Sequence, residues 1–195
     1  YSSTKYGVRL NINLSNFKHS WIGLKSLGGG FTIKDSYFDD NSGYGIDAQG
    51  VLIPSYIYGS SMSNNGYEGF SFGSNSAARL SVISCEFVHN PRGMKFISGN
   101  DLRVKCSNFL GEANRTSPMG LEVFAGSLLM NSAQKAGYNS FSYCNDNLAF
   151  NNLWGDPVML LNNGYNQFSH KVAPQDNEMG LSGNIDWPNV SLPDL

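Results

Sequence analysis

An alternation of apolar and polar residues recurs along the chain at intervals of a little over twenty residues. The repeats align on seven anchor positions: Phe17, Phe38, Met62, Phe87, Phe109, Phe141 and Phe168. The spacings between anchors are 21, 24, 25, 22, 32 and 27 residues. Apolar residues stand five and seven positions before most anchors, as Leu10 and Ile12 do, and this alternation predicts a strand with one buried face.

Small residues mark two turns in each repeat. A serine, cysteine or asparagine two positions before the anchor, such as Ser36 or Cys85, predicts a bend between strands. A glycine follows the first five anchors, namely Gly23, Gly45, Gly69, Gly93 and Gly120, the last delayed by an insertion at Asn114–Pro118. We expect each glycine to begin a second inward strand, several with positive φ. Asparagines after the anchors, including Asn41, Asn65 and Asn90, are expected to stack their amides inside the fold.

A unit of about 23 residues cannot bury its apolar side alone, but units stacked at about 4.8 Å per layer form parallel sheets around a dry core. No window of eleven residues keeps helical spacing, which disfavours leucine-rich and ankyrin arrays. The sequence therefore predicts an all-β fold, a right-handed parallel β-helix (solenoid) of about seven coils over residues 1–169. Its phenylalanine anchors should form one internal stack. Residues 170–195, where the periodicity stops, are predicted to be an irregular capping tail or linker.

The coils resemble the right-handed parallel β-helix repeat family, as the segments Ile33–Ile46 and Val82–Met94 illustrate. The near copies Gly137–Ser142 and Gly164–Ser169 look like closing coils from large secreted bacterial proteins, often of Bacteroidetes type. The resemblance implies a module of a secreted or cell-surface bacterial protein. Because the sequence does not begin with methionine, we expect the module to belong to a longer polypeptide, whose remaining part would be its partner.

Composition and charge argue against several classes of partner and site. Of the 195 residues 41% are hydrophobic and 14% are charged, with a net charge of −2. No run of five like charges occurs, so no nucleic-acid partner is expected. No apolar stretch approaches the roughly 18 residues of a membrane span, so no membrane insertion is expected. Three cysteines without a Cys-x-x-Cys pair indicate neither a zinc site nor a disulfide scaffold; Cys85 and Cys106, in adjacent coils, could form a disulfide, although free thiols are preferred.

The candidate catalytic groups have structural explanations. On an outward column Lys25 should face Asp47 and Lys95 should face Glu122, so that charges cancel in cross-strand pairs. Asp47 and Glu122 would be three layers apart, roughly 14 Å, too far for a glycosidase carboxylate pair.

The histidines and the neighbouring aspartates are also not expected to form a metal site or a catalytic group. His19 and His89 are also expected to lie roughly 14 Å apart, too far for a shared metal ion. Asp39 and Asp40 fit a turn, and the other motifs of β-helix polygalacturonases are missing. No catalytic residue, metal site or cofactor is predicted.

A second outward face combines aromatic and basic residues. Its paired positions are Thr32 and Lys34, Tyr56 and Tyr58, Ser81 and Ile83, and Arg103 and Lys105. We expect Tyr56, Tyr58, Arg103 and Lys105 to bind a polysaccharide, with rings stacking on sugars and cations meeting carboxylates.

Two functions are compatible with this face. The preferred one is a non-catalytic spacer or weak glycan-binding module. The alternative is a polysaccharide lyase or glycoside hydrolase acting on the Lys34 to Lys105 face, since the β-helix family often hosts lyases. A lyase commonly holds calcium in clustered acids, and no such cluster is near Lys105 in the sequence columns, so the balance is against an enzyme.

Overall fold

The computed structural model describes residues 8–74, 78–111, 119–130, 139–142, 144, 146–150, 159–161, 166–168, 185–186 and 190–191. Every helix or strand assigned in these ranges is a β-strand. None of the described elements is a helix long and apolar enough to cross a membrane.

The strands are short and follow one another closely. The first nine are β1 (Arg9–Asn13), β2 (Asn16–Lys18), β3 (Ile22–Leu27), β4 (Gly30–Lys34), β5 (Tyr37–Asp39), β6 (Tyr44–Val51), β7 (Ser55–Tyr58), β8 (Ser61–Ser63) and β9 (Glu68–Ser74). The next nine are β10 (Leu80–Ile83), β11 (Glu86–Val88), β12 (Arg92–Phe96), β13 (Asp101–Lys105), β14 (Asn108–Leu110), β15 (Met119–Val123), β16 (Ser127–Leu129), β17 (Ser140–Ser142) and β18 (Asp146–Phe150). The last four are β19 (Met159–Leu161), β20 (Asn166–Phe168), β21 (Ile185–Asp186) and β22 (Val190–Ser191).

Three parallel sheets run along the stack of coils. Sheet A has the order β1-β4-β7-β10-β13-β16-β19-β21, sheet B the order β2-β5-β8-β11-β14-β17-β20-β22, and sheet C the order β3-β6-β9-β12-β15-β18. In the first six coils, successive strands enter sheets A, B and C in turn, and each pairs with its equivalent in the next coil. This architecture is a parallel β-solenoid, as the sequence predicts.

The solenoid has about five turns, fewer than the seven predicted. The anchors count only the strands of sheet B, whereas sheet C has six strands within the described residues, so the coil of the last anchor, Phe168, adds no described strand to sheet C. The anchors Phe141 and Phe168 do extend sheet B, but much of the chain around them lies outside the described residues. In the predicted tail, β21 and β22 continue sheets A and B, and the rest of 170–195 lies outside the described residues.

The anchor residues form the predicted internal column. They pair one to one from Phe17 through Phe141 to Phe168. The Phe87 and Phe109 rings are 4.6 Å apart and parallel within 2°, and Phe109 and Phe141 are 4.6 Å apart and parallel within 4°. The described phenylalanines of this column are buried, apart from a half-buried Phe17 in the first coil. The side chain of Phe168 lies outside the described residues.

A column of buried amides follows the anchors, also as predicted. The Asn41 Nδ2 donates to Asn65 Oδ1 at 3.0 Å, and the Asn65 Nδ2 donates to Asn90 Oδ1 at 3.0 Å. Each amide also donates to the backbone carbonyl of the anchor in the coil before it, Phe17, Phe38 or Met62. These bonds satisfy the interior polar groups of the turn, which would otherwise be costly to bury.

The turns use left-handed backbone, a conformation that the repeat pattern predicts only at glycines. Between sheets A and B this conformation occurs at Leu14 (φ 49°), Asp35 (47°), Gly59 (56°), Ser84 (54°) and Cys106 (49°). Between sheets B and C it occurs at His19 (56°), Asp40 (53°), Asn64 (52°) and His89 (54°). Asp40 is therefore a turn residue. Its neighbour Asp39 lies 3.5 Å from Lys18 as an ion pair, which supports the structural interpretation of the aspartate pair.

The prediction of positive φ at the glycine column is wrong. None of Gly23, Gly45, Gly69, Gly93 and Gly120 has a positive φ. Steric crowding explains why these positions are glycine: a Cβ on Gly45 would lie 2.5 Å from the carbonyl oxygen of Gly69 and 3.0 Å from Asn65 Nδ2. The same collision with the next glycine's carbonyl recurs at Gly23, Gly69 and Gly93. Glycine is required because the backbones of successive coils approach each other closely at this corner.

We predict that Gly45→Ala destabilises the fold by about 1–3 kcal/mol, the usual cost of overpacking. If space were available, alanine would instead stabilise by about 0.4–1 kcal/mol, because it restricts the unfolded chain. Chemical denaturation therefore distinguishes the two explanations by the sign of the change. Ser42→Ala, at an exposed position of the same coil, serves as the control and should change the free energy of unfolding little.

The three cysteines are free thiols in different environments. Cys85 and Cys144 are buried, whereas Cys106 is exposed. Burial raises the pKa of the Cys85 thiol to about 11, so this thiol stays protonated in the folded protein until the pH rises through that value. Its S–H donates to the Ile83 carbonyl at 3.3 Å.

At pH 8 we expect a disulfide reagent such as DTNB to modify one thiol rapidly in the native protein and all three after unfolding, because the thiolate is the reactive form. Cys106→Ser should remove the rapid phase. Serine fits there, since Ser84 has the same conformation at the equivalent position one coil earlier. A rapid phase that persists in Cys106→Ser would contradict this assignment.

Candidate functional site on the outer face of sheet A

The predicted binding residues lie on one face of sheet A because its strands alternate inward and outward positions. In β7, Ser55 and Ile57 are buried and Tyr56 and Tyr58 are only partly so. The paired outward columns are Thr32, Tyr56, Ser81 and Arg103, and Lys34, Tyr58, Ile83 and Lys105. Residues that align in the sequence repeats are therefore also neighbours on this sheet.

The two tyrosines form the centre of a shallow depression. Their ring centroids are 6.1 Å apart and the rings are parallel within 7°. The depression has a volume of about 480 Å³ and is lined by Thr32, Lys34, Tyr56 and Tyr58. Burial raises the pKa of Tyr58 above its ordinary value, and the charge of Tyr56 adds to the shift. The Tyr58 phenol is thus neutral at physiological pH and available as a hydrogen-bond donor.

Cations lie against both tyrosines. The Lys34 Nζ is 5.9 Å from the centre of the Tyr58 ring, and the Arg9 guanidinium carbon is 5.4 Å from the centre of the Tyr56 ring. Arg9 donates to the Pro54 carbonyl at 3.0 Å, which holds its guanidinium at the rim of the depression. Sequence reasoning missed Arg9, although extending the outward alternation by one more position in β1 would have found it.

Arg103 and Lys105 lie further along the same face. Two strand spacings separate them from Tyr56 and Tyr58, or about 10 Å at roughly 4.8 Å per strand. Ser81 and Ile83 of β10 occupy the intervening positions. The structure thus brings Tyr56, Tyr58 and Lys34 together but leaves Arg103 and Lys105 apart from them, so only an elongated ligand could contact both groups.

This face carries positive charge in a chain whose net charge is −2. Its described strands contain Arg9, Lys34, Arg103 and Lys105 and two acids, Asp101 and Asp186. Asp101 forms a 2.9 Å ion pair with Arg79, which directly precedes β10. Asp101 is therefore neutralised locally, and the four strand cations outnumber the acids of the face.

Sheet C has the predicted register, but its ion pairs differ from those predicted. Lys25 pairs with Asp47 and Lys95 with Glu122 in the backbone register. The Glu122 carboxylate, however, lies 2.9 Å from Arg92 Nε, and the Lys95 Nζ lies 4.9 Å from the centre of the Phe124 ring. Arg92 competes for Glu122 because its long side chain reaches diagonally from the preceding coil.

Arg92 also pairs with Glu68, so one guanidinium joins two carboxylates. Sequence reasoning missed this pair of acids because it did not examine the column directly before the glycines, where Glu68 and Arg92 stand in adjacent coils. The Glu68 and Glu122 side chains are only 9% and 4% exposed. Because both carboxylates are buried and paired with Arg92, they have a structural role and are not positioned to reach a polysaccharide.

A cluster of three aromatic rings lies near Glu68. The Trp21 ring meets the Tyr67 ring edge to face at 5.5 Å, and Tyr44 lies 5.6 Å from Tyr67. Trp21 passes over Gly43, where a Cβ would lie 3.2 Å from the indole ring. Burial, followed by the charge of Glu68, raises the pKa of Tyr44.

The structure shows no metal site within the described ranges: no group of three or more histidine, cysteine, aspartate or glutamate side chains could hold an ion there. His19 and His89 occupy equivalent turns on coils three layers apart. The insertion at 114–118 lies outside the described residues.

Comparisons of this chain with protein-family models, with curated proteins and with solved structures give no match.

We predict that Arg92→Leu destabilises the protein by about 2–3 kcal/mol, because it removes the cation that two buried carboxylates share. Lys95→Leu, which changes a cation on the next outward position of the same strand, should cost much less. Adding Glu68→Gln and Glu122→Gln to Arg92→Leu should recover part of the lost stability. Equal effects of Arg92→Leu and Lys95→Leu on urea unfolding would contradict a structural role for the Arg92 pairs.

Proposed function

We propose that this chain is a non-catalytic β-helix module that binds an acidic polysaccharide along the outer face of sheet A. The observation that carries the proposal is the depression formed by the parallel rings of Tyr56 and Tyr58, with the cations Lys34 and Arg9 against them. Aromatic faces pack on the apolar faces of sugar rings, and ammonium and guanidinium groups pair with carboxylate or sulfate.

The shape of the face favours a polymer over a small molecule. Small-molecule sites are concave and enclose most of the ligand, whereas this face is a flat sheet with one shallow depression. Arg103 and Lys105 continue the basic surface along the solenoid axis. A chain of several sugars could contact the tyrosines at one end and these cations at the other, with modest affinity from each contact.

The distribution of acids favours binding over cleavage. Asp101, the acid beside Arg103 on this face, is paired with Arg79, and Glu68 and Glu122 are buried against Arg92 on another sheet. A glycosidase needs two accessible carboxyl groups about 5–9.5 Å apart across the scissile bond. A secreted or cell-surface bacterial setting, with this module joined to a longer polypeptide, is part of the proposal and rests on the resemblance of the coils to the β-helix repeat family.

Tyr58→Ala should weaken binding to polygalacturonate or alginate at least fivefold in isothermal titration calorimetry, because it removes half of the aromatic platform. Tyr37→Ala is the matched control: Tyr37 is 54% exposed on sheet B and should be neutral. Binding should also weaken as salt increases, because the charges lie at the surface.

Oligosaccharides of different length distinguish binding at the two ends of the face. Arg103→Ala with Lys105→Ala should weaken binding of long oligosaccharides but leave short ones, which fill only the tyrosine depression, unaffected. Loss of binding in Tyr37→Ala, or no loss in Tyr58→Ala, would contradict the proposed surface. Unsaturated sugar products that disappear in Lys105→Ala would identify a lyase and overturn the non-catalytic proposal.

A further inference from the structure

The corner between sheets B and C exposes two large aromatic side chains that contact each other. Trp21 is 56% exposed and Tyr67 is 50% exposed, and their ring centroids are 5.5 Å apart. Trp21, Gly43 and Tyr67 each stand directly before a strand of sheet C, in three successive coils. The two rings meet because the glycine of the coil between them has no side chain. We call this pair the Trp21–Tyr67 corner.

Gly43 also determines how the indole lies. A Cβ at residue 43 would be 3.2 Å from both Cδ2 and Cε2 of Trp21, the two carbons shared by the rings of the indole. Atoms in the middle of a ring system can be approached only from one of its faces, so one face of the indole lies over Gly43. Because more than half of Trp21 is exposed, the opposite face is open to solvent.

The exposure of this indole does not depend on its position in the first coil. The ring extends along the axis toward the later coils, since it covers Gly43 in the second coil and reaches Tyr67 in the third. The Tyr67 ring is nearly perpendicular to it, with 87° between the planes. The partly exposed Tyr44 lies 5.6 Å from Tyr67. The corner therefore presents two perpendicular apolar surfaces that packing holds in place.

The charge around these rings differs from that on sheet A. Among the described residues, cations lie over the rings of Tyr56, Tyr58 and Phe124, and none lies over Trp21 or Tyr67. Glu68, which follows Tyr67, is already paired with Arg92. The serines directly before Trp21 and Gly43 are exposed and supply neutral hydroxyl groups. Aromatic faces and hydroxyl groups without an unpaired ion between them suit an uncharged ligand.

The ring geometry favours a sugar over an organic cation. Quaternary ammonium groups bind in cages whose aromatic rings stand apart around the methyl groups. The rings of Trp21 and Tyr67 are in edge-to-face contact, so no such space separates them. An open indole face instead matches the flat apolar face of a pyranose ring, and exposed apolar patches of this kind mark interaction sites.

We propose that the Trp21–Tyr67 corner binds an uncharged sugar of a glycan chain, with the indole stacked on one pyranose ring. The site is separate from the sheet A face and needs no cation, so it does not rest on the proposed binding of an acidic polysaccharide. A single stacked ring buries little surface, and the affinity is therefore low.

Saturation-transfer difference NMR with cello-, manno-, xylo- and galacto-oligosaccharides tests the proposal on the whole chain. At least one of these neutral ligands should bind, and Trp21→Ala should weaken its binding at least about fivefold, because the stacking surface is removed. Tyr37→Ala, which removes a ring that is 54% exposed on sheet B, is the matched control and should be neutral. Salt should leave this binding unchanged, because the ligand carries no charge.

Tyr67→Ala is a second variant that leaves the contact between Trp21 and Gly43 in place. It should also weaken binding of the neutral ligand while the thermal unfolding midpoint shows that the protein is folded. Tyr58→Ala should bind the neutral ligand like the wild type, so the two sites fail or succeed separately. Binding that is lost in Tyr58→Ala but kept in Trp21→Ala would overturn the proposal, as would failure of all four ligands to bind. Choline binding that Trp21→Ala abolishes would identify a cation site instead and overturn the assignment to a sugar.

Discussion

Hydrogen bonding between equivalent strands of successive coils is the constraint on which the rest of this structure depends. It sets the coils about 4.8 Å apart and brings each side chain against the one at the same position of the next coil. Only residues that pack well against their own kind can fill such a column. Parallel phenyl rings do so at 4.6 Å, and carboxamides do so by donating and accepting along the axis. The column, more than the individual residue, is therefore the unit that stabilises this fold.

The same constraint explains which features could be predicted from the sequence. A column appears in the sequence as a residue type repeated at the coil period, so the phenylalanine stack, the Asn41 to Asn90 amides and the common face of Tyr56 and Arg103 could all be placed. Glycine was ambiguous, because it serves both positive φ and close backbone approach, and Gly45 has the second role. The left-handed turns at Leu14, Ser84 and Cys106 carried no signal, since these residue types are not typical of that conformation.

Contacts that cross between columns were also beyond the sequence. Arg92 reaches from its own column to Glu122 in another, and the choice between Arg92 and Lys95 depends on side-chain length and direction. The coil count failed for a related reason, because one anchor per repeat does not show whether a strand of sheet C accompanies it. Register was predictable from sequence, whereas diagonal packing and the completeness of a coil required coordinates.

The one-to-one register also makes axial distance on sheet A a property of coil number. A single coil, the one containing β10, separates the tyrosine pair from Arg103 and Lys105. Since the columns continue through that coil in register, its duplication would preserve the core while moving the aromatic and basic groups by about 4.8 Å relative to each other. In evolutionary terms, gain of a whole coil could change the spacing of recognition groups without inventing a new side-chain contact in the interior.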